Sequence, residues 1–324
     1  MKKFTHINAR TVDGAVLTLN QHGREARAIA GGTDLLGTLK AEIFPEYPQV
    51  IVTLKSIPGL DFIKEEGEIL RIGALTRLED IASNTIIRSK YTALAEAAHR
   101  TATPLIRKMG TIGGNICQFN RCWYYRASHN YFHCVRKGGK TCQAITGDHR
   151  YHSIFGAVQK CVAVNPSDTA PALVALDARI KTSRRTIDIG DFFSANGEKS
   201  TILDTDEIVT EIQVPTPDSY TKSTFIKFAL RQSIDFPVVN CAVMIKNGEG
   251  TIRAARICLN AVYNQPYRAT AAEESIIGKT ISASTAEGAS RVAVASASPM
   301  PENRYKVEIA RVLVKRSILA LRKR

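Results

Sequence analysis

The spacing of apolar residues in the first part of the chain predicts short strands and helices in alternation. A helix begins after Thr11, carries Val16 and Leu19, and ends at Gly23, a residue that suits the position after a helix. Further strands are predicted at 27–30, 49–54 and 70–74, and further helices at 35–39, 78–82 and 93–102. Thr76 is the expected cap of the helix at 78–82, and Pro104 is expected to stop the helix at 93–102.

The pattern changes after Pro217. Before it, a helix is predicted at 171–177, a pair of edge strands at 178–182 and 185–189, and a strand at 207–214. After it, strands at 224–230, 238–246 and 251–262 precede helical segments, an order typical of an α+β domain. We therefore predict an α+β fold with a two-part first domain over 1–217, subdivided into about 1–56 and 57–217, and a smaller α+β C-terminal domain over 218–324.

The last predicted helix covers 302–324 and is strongly basic. Its apolar residues recur at helical spacing: Val307, Ala310, Val314, Ile318 and Leu321. One face of the helix is expected to pack on the protein, and a contact with a partner subunit is a further hypothesis.

The composition is that of an ordinary globular protein. Of the 324 residues, 44% are hydrophobic and 23% are charged. No apolar run approaches the roughly 20 residues that a membrane helix needs, and no apolar segment follows Lys2 and Lys3 as in a secretory signal. These features predict a cytoplasmic protein without membrane insertion, or a periplasmic one if a partner subunit carries the export signal.

The formal net charge of +14 admits three kinds of ligand: nucleic acid, an acidic protein or an anionic cofactor. Only residues 121–136 mix basic and aromatic residues as a nucleic-acid surface does, and the cysteines of that stretch offer another explanation. Nucleic-acid binding is therefore not expected, although a metal-bearing nucleic-acid-binding protein remains an alternative.

Two glycine-rich turns indicate a phosphate-bearing ligand. Gly31-Gly32-Thr33-Asp34 lies between a predicted strand and a predicted helix, an arrangement that brings backbone N–H groups to a phosphate. The second turn covers 110–115. A single glycine pair is most often an ordinary turn, but two such turns in one chain fit a ligand with two phosphates.

Five of the seven cysteines lie in an aperiodic, polar and aromatic segment: Cys117, Cys122, Cys134, Cys142 and Cys161. Cys241 and Cys258 lie on predicted strands and are expected to be core residues. Since so long a loop is not expected to be ordered by packing alone, a metal centre would supply the missing order.

Four thiolates suit either zinc or an iron–sulfur cluster. No C-x2-C pair is present, and the intervals from Cys122 are C-x11-C-x7-C-x18-C, which favour a cluster held by a wrapped loop. The alternative is a set of unconnected loop thiols. The nearby histidines rank behind the thiolates as ligands; they are His129, His133, His149 and His152.

Three motifs together resemble those of a known family. They are 29–36 (Ile-Ala-Gly-Gly-Thr-Asp-Leu-Leu), 106–115 (Ile-Arg-Lys-Met-Gly-Thr-Ile-Gly-Gly-Asn) and 166–168 (Pro-Ser-Asp). They resemble the FAD-binding (medium) subunit of molybdenum hydroxylases, the xanthine dehydrogenase family, whose FAD domain is of the PCMH type. The likeness runs the whole length of the chain, and 72–76 and 227–242 also fall in the expected places.

Residues 117–161 form an insertion that most members of this family lack. The insertion resembles that of the β subunit of 4-hydroxybenzoyl-CoA reductase and of the FAD subunit of periplasmic-type aldehyde oxidoreductase, which carry a [4Fe–4S] cluster in this loop. The resemblance implies that the metal ligands are Cys122, Cys134, Cys142 and Cys161, with Cys117 left as a non-ligand. The interval before Cys161 is more like the aldehyde enzyme, whereas 233–237 and the chain length are more like the reductase.

The resemblance also implies which residues bind FAD. The pyrophosphate would be wrapped by Ile29, Ala30, Gly31, Gly32, Thr33, Asp34, Leu35 and Leu36, and the second turn would contribute Thr101, Thr111, Gly114 and Asn115. Asp168 would hydrogen-bond a sugar or ribityl hydroxyl, and Lys227 would lie near the flavin ring. Taken alone, the glycines could be turn residues, Asp168 a helix cap and Lys227 a surface charge.

The implied function is electron transfer, with no catalytic residue in this chain and the substrate chemistry in a partner subunit. The resemblance implies a heterotrimeric oxidoreductase with a large molybdopterin subunit and a small subunit that holds two [2Fe–2S] clusters. Ferredoxin or another external redox partner would complete the path, and the substrate would be an aromatic acyl-CoA or an aldehyde. The alternatives are the flavin subunit of a purine or xanthine dehydrogenase, and a flavoprotein whose cysteine loop has lost its metal.

Overall fold

The computed structural model describes residues 1–322. The strands are β1 Thr5–Asn8, β2 Ala26–Ile29, β3 Val50–Thr53, β4 Ile63–Glu66, β5 Ile69–Gly73, β6 Arg179–Thr182, β7 Thr186–Asp188, β8 Val209–Pro215, β9 Thr221–Phe228, β10 Val239–Gly248, β11 Thr251–Asn260 and β12 Tyr267–Arg268. The helices are α1 Val12–His22, α2 Leu35–Lys40, α3 Leu78–Ser83, α4 Thr85–Lys90, α5 Thr92–His99, α6 Pro104–Arg107, α7 Ile112–Cys117, α8 Gln143–Thr146, α9 Thr169–Ala175, α10 Ile189–Phe192, α11 Thr270–Ile276, α12 Ala283–Ala293 and α13 Tyr305–Ala320.

The first sheet is parallel and has the order β1-β3-β2. Helix α1 packs against it, with Ala15 and Leu19 buried in the core that the sheet and helix share. The helix has the ends that its sequence predicts. The Thr11 hydroxyl accepts a hydrogen bond from the Gly14 N–H at 3.0 Å, and Gly23 ends the helix with a φ of +50°.

The second sheet has the order β4-β5-β8-β6-β7, and all its neighbouring strands are antiparallel. Its core includes Ile72 and Ile212 from the sheet and Leu94 and Leu173 from α5 and α9. Of the two predicted edge strands, β7 lies at the edge, whereas β6 lies inside the sheet between β7 and β8.

The third sheet is antiparallel, with the order β12-β11-β10-β9. Helices α11, α12 and α13 share its core, in which Ala310, Val314 and Ile318 of α13 are fully buried. The predicted one-sided packing of the last helix is thereby confirmed, and the last two residues of the predicted range lie outside the described chain. The other face of the sheet meets α5 and α9 through small side chains such as Ala97 and Ala242.

Two expectations about helix ends are wrong. Arg77, not Thr76, occupies the position before α3, because the Thr76 hydroxyl donates to the Phe62 carbonyl at 2.9 Å instead. Pro104 is the first residue of α6 and does not only end the preceding helix. Proline is tolerated in the first turn of a helix, because the backbone N–H groups there have no partner within the helix. The Thr103 hydroxyl caps this short helix by accepting from the Ile106 N–H at 3.3 Å.

Among residues 1–322, no helix combines the length and the apolar character that crossing a membrane requires.

Candidate functional site

A cavity of about 500 Å³ opens between the turn after β2, the turn before α7 and the segment before α9. Most of the residues that the family resemblance assigns to the cofactor line it: Ile29, Ala30, Gly31, Gly32, Thr33, Asp34, Leu35, Thr101, Thr111, Gly114, Asn115 and Asp168. Leu36 and Lys227 are not among its lining residues. Leu36 is exposed, and Lys227 contacts Asp168.

Gly31 brings the two glycine-rich turns into contact. A Cβ atom at Gly31 would lie 2.0 Å from the Met109 carbonyl oxygen, so only glycine permits this approach. Gly32 has a φ of +73°, in the left-handed region that glycine adopts readily. The backbone of the first turn can therefore come close to a ligand, with no side chain at these two positions to keep it away.

Asn115 ties the second turn to the segment that carries Asp168. Its side-chain oxygen accepts hydrogen bonds from the Ser167 hydroxyl at 2.5 Å and from the Thr169 hydroxyl at 2.7 Å. Thr111 begins α7, and its hydroxyl accepts from the Gly114 N–H at 3.1 Å. These bonds fix the positions of the lining residues relative to one another.

Asp168 and Lys227 form a buried ion pair, in which each side chain is only 3% exposed. The Lys227 ammonium donates to one Asp168 oxygen at 2.7 Å and to the Arg100 carbonyl at 3.1 Å, while Asn240 donates to the other Asp168 oxygen at 2.8 Å. Burial raises the pKa of Asp168, and the Lys227 charge opposes that rise. Lys227 therefore does not line the cavity itself but holds in place the Asp168 carboxylate that does.

Several lining residues were not predicted from the sequence to bind the cofactor. They are Arg27, Cys117, Phe119, Arg121, Arg126, Ile234 and Phe236. The first lies on a strand, and the last two lie on the exposed loop after β9. No local motif marks these residues, because each reaches the cavity only through the tertiary fold. Burial raises the pKa of the Cys117 thiol to about 12, so this thiol is neutral at pH 7.

The other four cysteines of the segment lie near one another. Burial raises the pKa of Cys122 to about 12, and negative charge on the neighbouring Cys161 and Cys142 raises it further. Burial also raises the pKa of Cys161, to which charges on Cys142 and Cys134 contribute. Charges on these cysteines thus influence one another, whereas Cys117 lines the cavity.

Polar groups lie within hydrogen-bond distance of two of these sulfur atoms. Cys161 Sγ accepts from the Ala163 N–H at 3.4 Å and from the Asn264 side chain at 3.7 Å. Cys122 Sγ lies 3.2 Å from His152 Nε2. Donors at this position favour the thiolate, which is the form that binds metal.

Two buried cations follow Cys134 in the chain. Within the described residues, the Lys137 ammonium and two of the guanidinium nitrogens of Arg136 (Nε and Nη1) have no hydrogen-bond partner. Burial lowers the pKa of Lys137, whereas negative charge on Cys134 and Cys122 opposes that change. Buried cations of this kind are suited to the neighbourhood of an anionic group.

No three His, Cys, Asp or Glu side chains among residues 1–322 lie close enough together to hold a single metal ion. His129 and His133 are exposed, whereas His149 and His152 are buried. His149 Nε2 accepts from the Glu302 N–H at 3.2 Å, so that histidine is engaged elsewhere.

The cysteine segment has more packing than its sequence suggests. Tyr125 is 2% exposed and shares a small core with Leu39 of α2 and with Phe44 and Cys134. The segment has no separate core of its own, as expected, but its apolar residues pack on a part of the chain that is distant in sequence. The segment is therefore fixed to the helix that follows the first glycine-rich turn.

Lys306 of α13 is fully buried and was not predicted as a site residue. Its ammonium donates to the backbone carbonyls of Tyr151 at 3.1 Å, His152 at 2.9 Å and Ala261 at 2.6 Å. Burial lowers the pKa of Lys306 to about 7, while the three carbonyl groups favour the protonated form. This side chain fastens the cysteine segment to the C-terminal helix.

Replacing Lys306 by methionine is expected to lower the free energy of unfolding by about 1–3 kcal/mol, because the buried carbonyl groups lose a charged donor. Urea unfolding followed by circular dichroism measures the change. Lys315→Met on the same helix is the matched control, since Lys315 is 39% exposed and pairs with Glu287 at 2.8 Å. The control should lose less than about 1 kcal/mol, and equal losses would contradict a structural role for Lys306.

The fold and the cavity define a class of protein: a cofactor-binding subunit with two glycine-rich turns beside a cysteine-rich segment. The family model for the FAD binding domain in molybdopterin dehydrogenase matches residues 2–217. The model for the CO dehydrogenase flavoprotein C-terminal domain matches residues 224–321. The chain belongs to this family, the FAD-binding medium subunits of molybdenum hydroxylases, as its motifs predict.

Individual relatives agree over almost the full length. The aldehyde oxidoreductase FAD-binding subunit PaoB of Escherichia coli is 32% identical, with 96% of each chain covered. The carbon monoxide dehydrogenase medium chain of Hydrogenophaga pseudoflava is 28% identical over 98% of this chain and 96% of its own. A solved structure of carbon monoxide dehydrogenase from the same organism, lacking the Mo-pyranopterin moiety of its cofactor, matches with a TM-score of 0.77 at 27% identity, covering 98% of this chain and 96% of its own. These likenesses confirm the predicted family and fold class.

Proposed function

We propose that this chain is the electron-transfer subunit of a molybdenum-containing hydroxylase or reductase complex. It would bind FAD in the cavity and a [4Fe–4S] cluster at the four neighbouring cysteines, and would exchange electrons with the [2Fe–2S] clusters of a small partner subunit. A large molybdopterin subunit would carry out the substrate chemistry. The observation that carries the proposal is that the cysteine segment borders the cavity, where the Asp34 carboxylate of the first glycine-rich turn binds Arg121 and Arg126 of that segment.

The residues of the cavity fit FAD. Gly31 and Gly32 line the cavity without side chains, which suits a diphosphate, and Thr33 adds a hydroxyl to the lining. Asp168 lines the cavity with its carboxylate held in place by Lys227 and Asn240, and is suited to accept from a sugar or ribityl hydroxyl. Lys227 would supply positive charge to this side of the cavity through Asp168.

The residues of the cysteine segment fit an iron–sulfur cluster. Cys122, Cys134, Cys142 and Cys161 would be the ligands, and the donors to Cys122 and Cys161 would stabilise their thiolates. Arg136 and Lys137 would balance part of the negative charge. FAD and iron–sulfur clusters supply one-electron transfer, and FAD also transfers electron pairs. The residues of this chain would hold the two groups in place.

The substrate of the complex is proposed to be an aldehyde, because PaoB, an aldehyde oxidoreductase subunit, is 32% identical and covers 96% of this chain. Electrons would then leave the molybdenum site through this subunit. An aromatic acyl-CoA is the second candidate, and it would require electrons to enter from a low-potential donor such as ferredoxin. The net charge of +14 suits an acidic redox partner in either direction.

Two further expectations remain proposals. The chain would divide into domains over 1–217 and 218–324, which the prolines at 215 and 217 support. The complex would be a cytoplasmic heterotrimer, or a periplasmic one if a partner carries it through the membrane. Limited proteolysis and the location of a tagged full-length chain in cell fractions test these two expectations.

Metal and flavin analysis of the purified full-length chain tests the function. Flavin absorption bands together with about four irons per chain support the proposal, in line with cubane stoichiometry. Zinc without flavin would contradict it and favour a metal-bearing nucleic-acid-binding protein. Flavin without any metal would indicate that the cysteine segment serves only as a scaffold.

The ligand assignment predicts different effects for two cysteines of the same segment. Cys134→Ser should lose most of the cluster iron, because the cluster loses one of its four thiolates. Cys117→Ser should keep the iron, since Cys117 lines the cavity and is not one of the four proposed ligands. Iron content and visible absorption measure both effects, and the opposite pattern would refute the assignment.

A further inference from the structure

Two arginines of the cysteine segment reach into the cofactor cavity. Arg121 and Arg126 line the cavity together with the first glycine-rich turn, and each side chain is only 20% exposed. They lie on either side of Cys122 in the sequence, within the insertion that most family members lack. The insertion therefore contributes charge to a cavity that the remainder of the chain would otherwise form alone.

Asp34 holds both guanidinium groups. Its carboxylate lies 3.0 Å from Arg121 and 2.9 Å from Arg126, and it also accepts from the Phe119 N–H at 3.2 Å. Burial opposes ionisation of Asp34, but the two guanidinium groups outweigh it and hold the pKa of that carboxyl below its usual range. One carboxylate between two guanidinium groups leaves a net positive charge.

The hydrogen bonding of these arginines is incomplete. Within residues 1–322, Arg121 Nε and Arg126 Nη1 are buried and have no partner. A buried donor without a partner is costly, and a guanidinium group offers five donors in a fixed plane. The ring of Phe236 lies against the Arg121 guanidinium at 4.2 Å, which keeps this side chain in place.

The two guanidinium groups carry one more positive charge than the Asp34 carboxylate between them can balance. A further negative charge beside the two arginines would complete their neutralisation and supply the missing acceptors. A diphosphate carries such charge, and its oxygens match the fork of a guanidinium group. The turn with Gly31 and Gly32 lines the same cavity and presents backbone without side chains.

We propose that Arg121 and Arg126 bind the diphosphate of FAD, with Asp34 as the residue that positions them. This inference rests on the proposed binding of FAD in the cavity. The cysteine segment then contributes directly to cofactor affinity, and the order of that segment and the occupancy of the FAD site depend on each other.

The test uses the full-length chain freed of flavin and then titrated with FAD. Arg126→Met should raise the dissociation constant of FAD about 10- to 100-fold, the range that loss of a charge-assisted hydrogen bond produces. Arg121→Met should act in the same direction, and Arg126→Lys should lose less affinity because it keeps the charge. Arg150→Met is the matched control: Arg150 belongs to the same segment, but its side chain is 57% exposed and pairs with Asp148. The control should bind FAD as the wild type does.

Inorganic pyrophosphate separates a binding role from a structural one. It should compete with FAD in the wild type and lose most of this competition in Arg126→Met, and circular dichroism should show that both proteins are folded at the temperature of the titration. Unchanged FAD affinity in Arg121→Met and Arg126→Met, or equal competition by pyrophosphate, would overturn the inference. Loss of iron at unchanged FAD affinity would assign the arginines to the metal site instead. If the wild type binds no FAD, the proposed function itself fails.

Discussion

Replacing Lys227 by methionine is expected to lower the free energy of unfolding by about 3–5 kcal/mol, because the Asp168 carboxylate would remain buried without its cation. Both side chains are 3% exposed, and the distance between the ammonium nitrogen and the carboxylate oxygen is 2.7 Å. Solvent cannot replace the lost charge at this depth. Urea unfolding followed by circular dichroism measures the loss.

The pH dependence of this loss follows from the pKa of Asp168, which burial raises. Without Lys227 that pKa rises further, so the folded variant prefers the protonated carboxyl. The deficit should therefore be smallest at low pH, where Asp168 is protonated in both the folded and unfolded states. It should grow as pH rises from the pKa of Asp168 in the folded wild type towards the higher pKa in the folded variant, because over that range the folded variant alone keeps the proton.

Two comparisons make this prediction specific. Lys246→Met removes an ion pair of similar length with Asp218, but the two side chains are 46% and 41% exposed, so the cost should stay below about 1 kcal/mol. The double variant Asp168→Asn/Lys227→Met should lose less stability than the sum of its single variants, since no unpaired charge remains. If Lys227→Met costs no more than Lys246→Met, the buried pair does not contribute as an ion pair.

Replacing Gly31 by alanine is expected to raise the dissociation constant of FAD by at least about tenfold, equivalent to 1.4 kcal/mol of lost binding energy. The added Cβ would lie 2.0 Å from the Met109 carbonyl oxygen and 2.7 Å from its carbon. Both are backbone atoms, so no side-chain rotation relieves the clash and the two glycine-rich turns must separate. Overpacking of this kind also destabilises a fold by about 1–3 kcal/mol.

Fluorescence titration of the flavin-free chain with FAD measures the loss of affinity. Gly288→Ala is the matched control, because no atom lies within 4 Å of the position of its added Cβ and the residue lies within α12. This control should leave FAD affinity unchanged and raise stability by about 0.5–1 kcal/mol, the usual gain on removing a glycine from a helix. Unchanged affinity in Gly31→Ala would mean that FAD does not bind against the first turn.

The local elements were well predicted from the sequence. The Thr11 hydroxyl caps the start of α1, and Gly23 ends the helix with a positive φ, as predicted. Most of the predicted strands and helices begin and end close to their predicted positions. Thr76 shows where such reasoning fails. Its hydroxyl lies beside the start of α3, but it donates to the backbone carbonyl of Phe62 instead of capping the helix. Capping by a side chain can be predicted only when no distant partner competes for it.

The candidate site was predicted in part. Glycine pairs and cysteines carry their chemistry in the residue type itself, so the turn at Gly31 and the group around Cys122 could be expected from the order of residues. Arg121, Arg126 and Lys306 could not, because an arginine or a lysine in a basic chain is most often a solvated charge. Only burial and an incomplete set of partners distinguish these three side chains from the other cations.

The sequence by itself determined the order of elements, the two glycine-rich turns, the cysteine insertion and, through their combination, the family. The tertiary structure decided which of these meet. Lys227 pairs with Asp168 across 59 residues, and Lys306 reaches the carbonyl of His152 across 154 residues. The physical reason is that residue type and local spacing determine the local backbone conformation and the reactions that a side chain can take part in. The energy of a charged side chain depends instead on its burial and on partners that only the folded chain brings within hydrogen-bond distance.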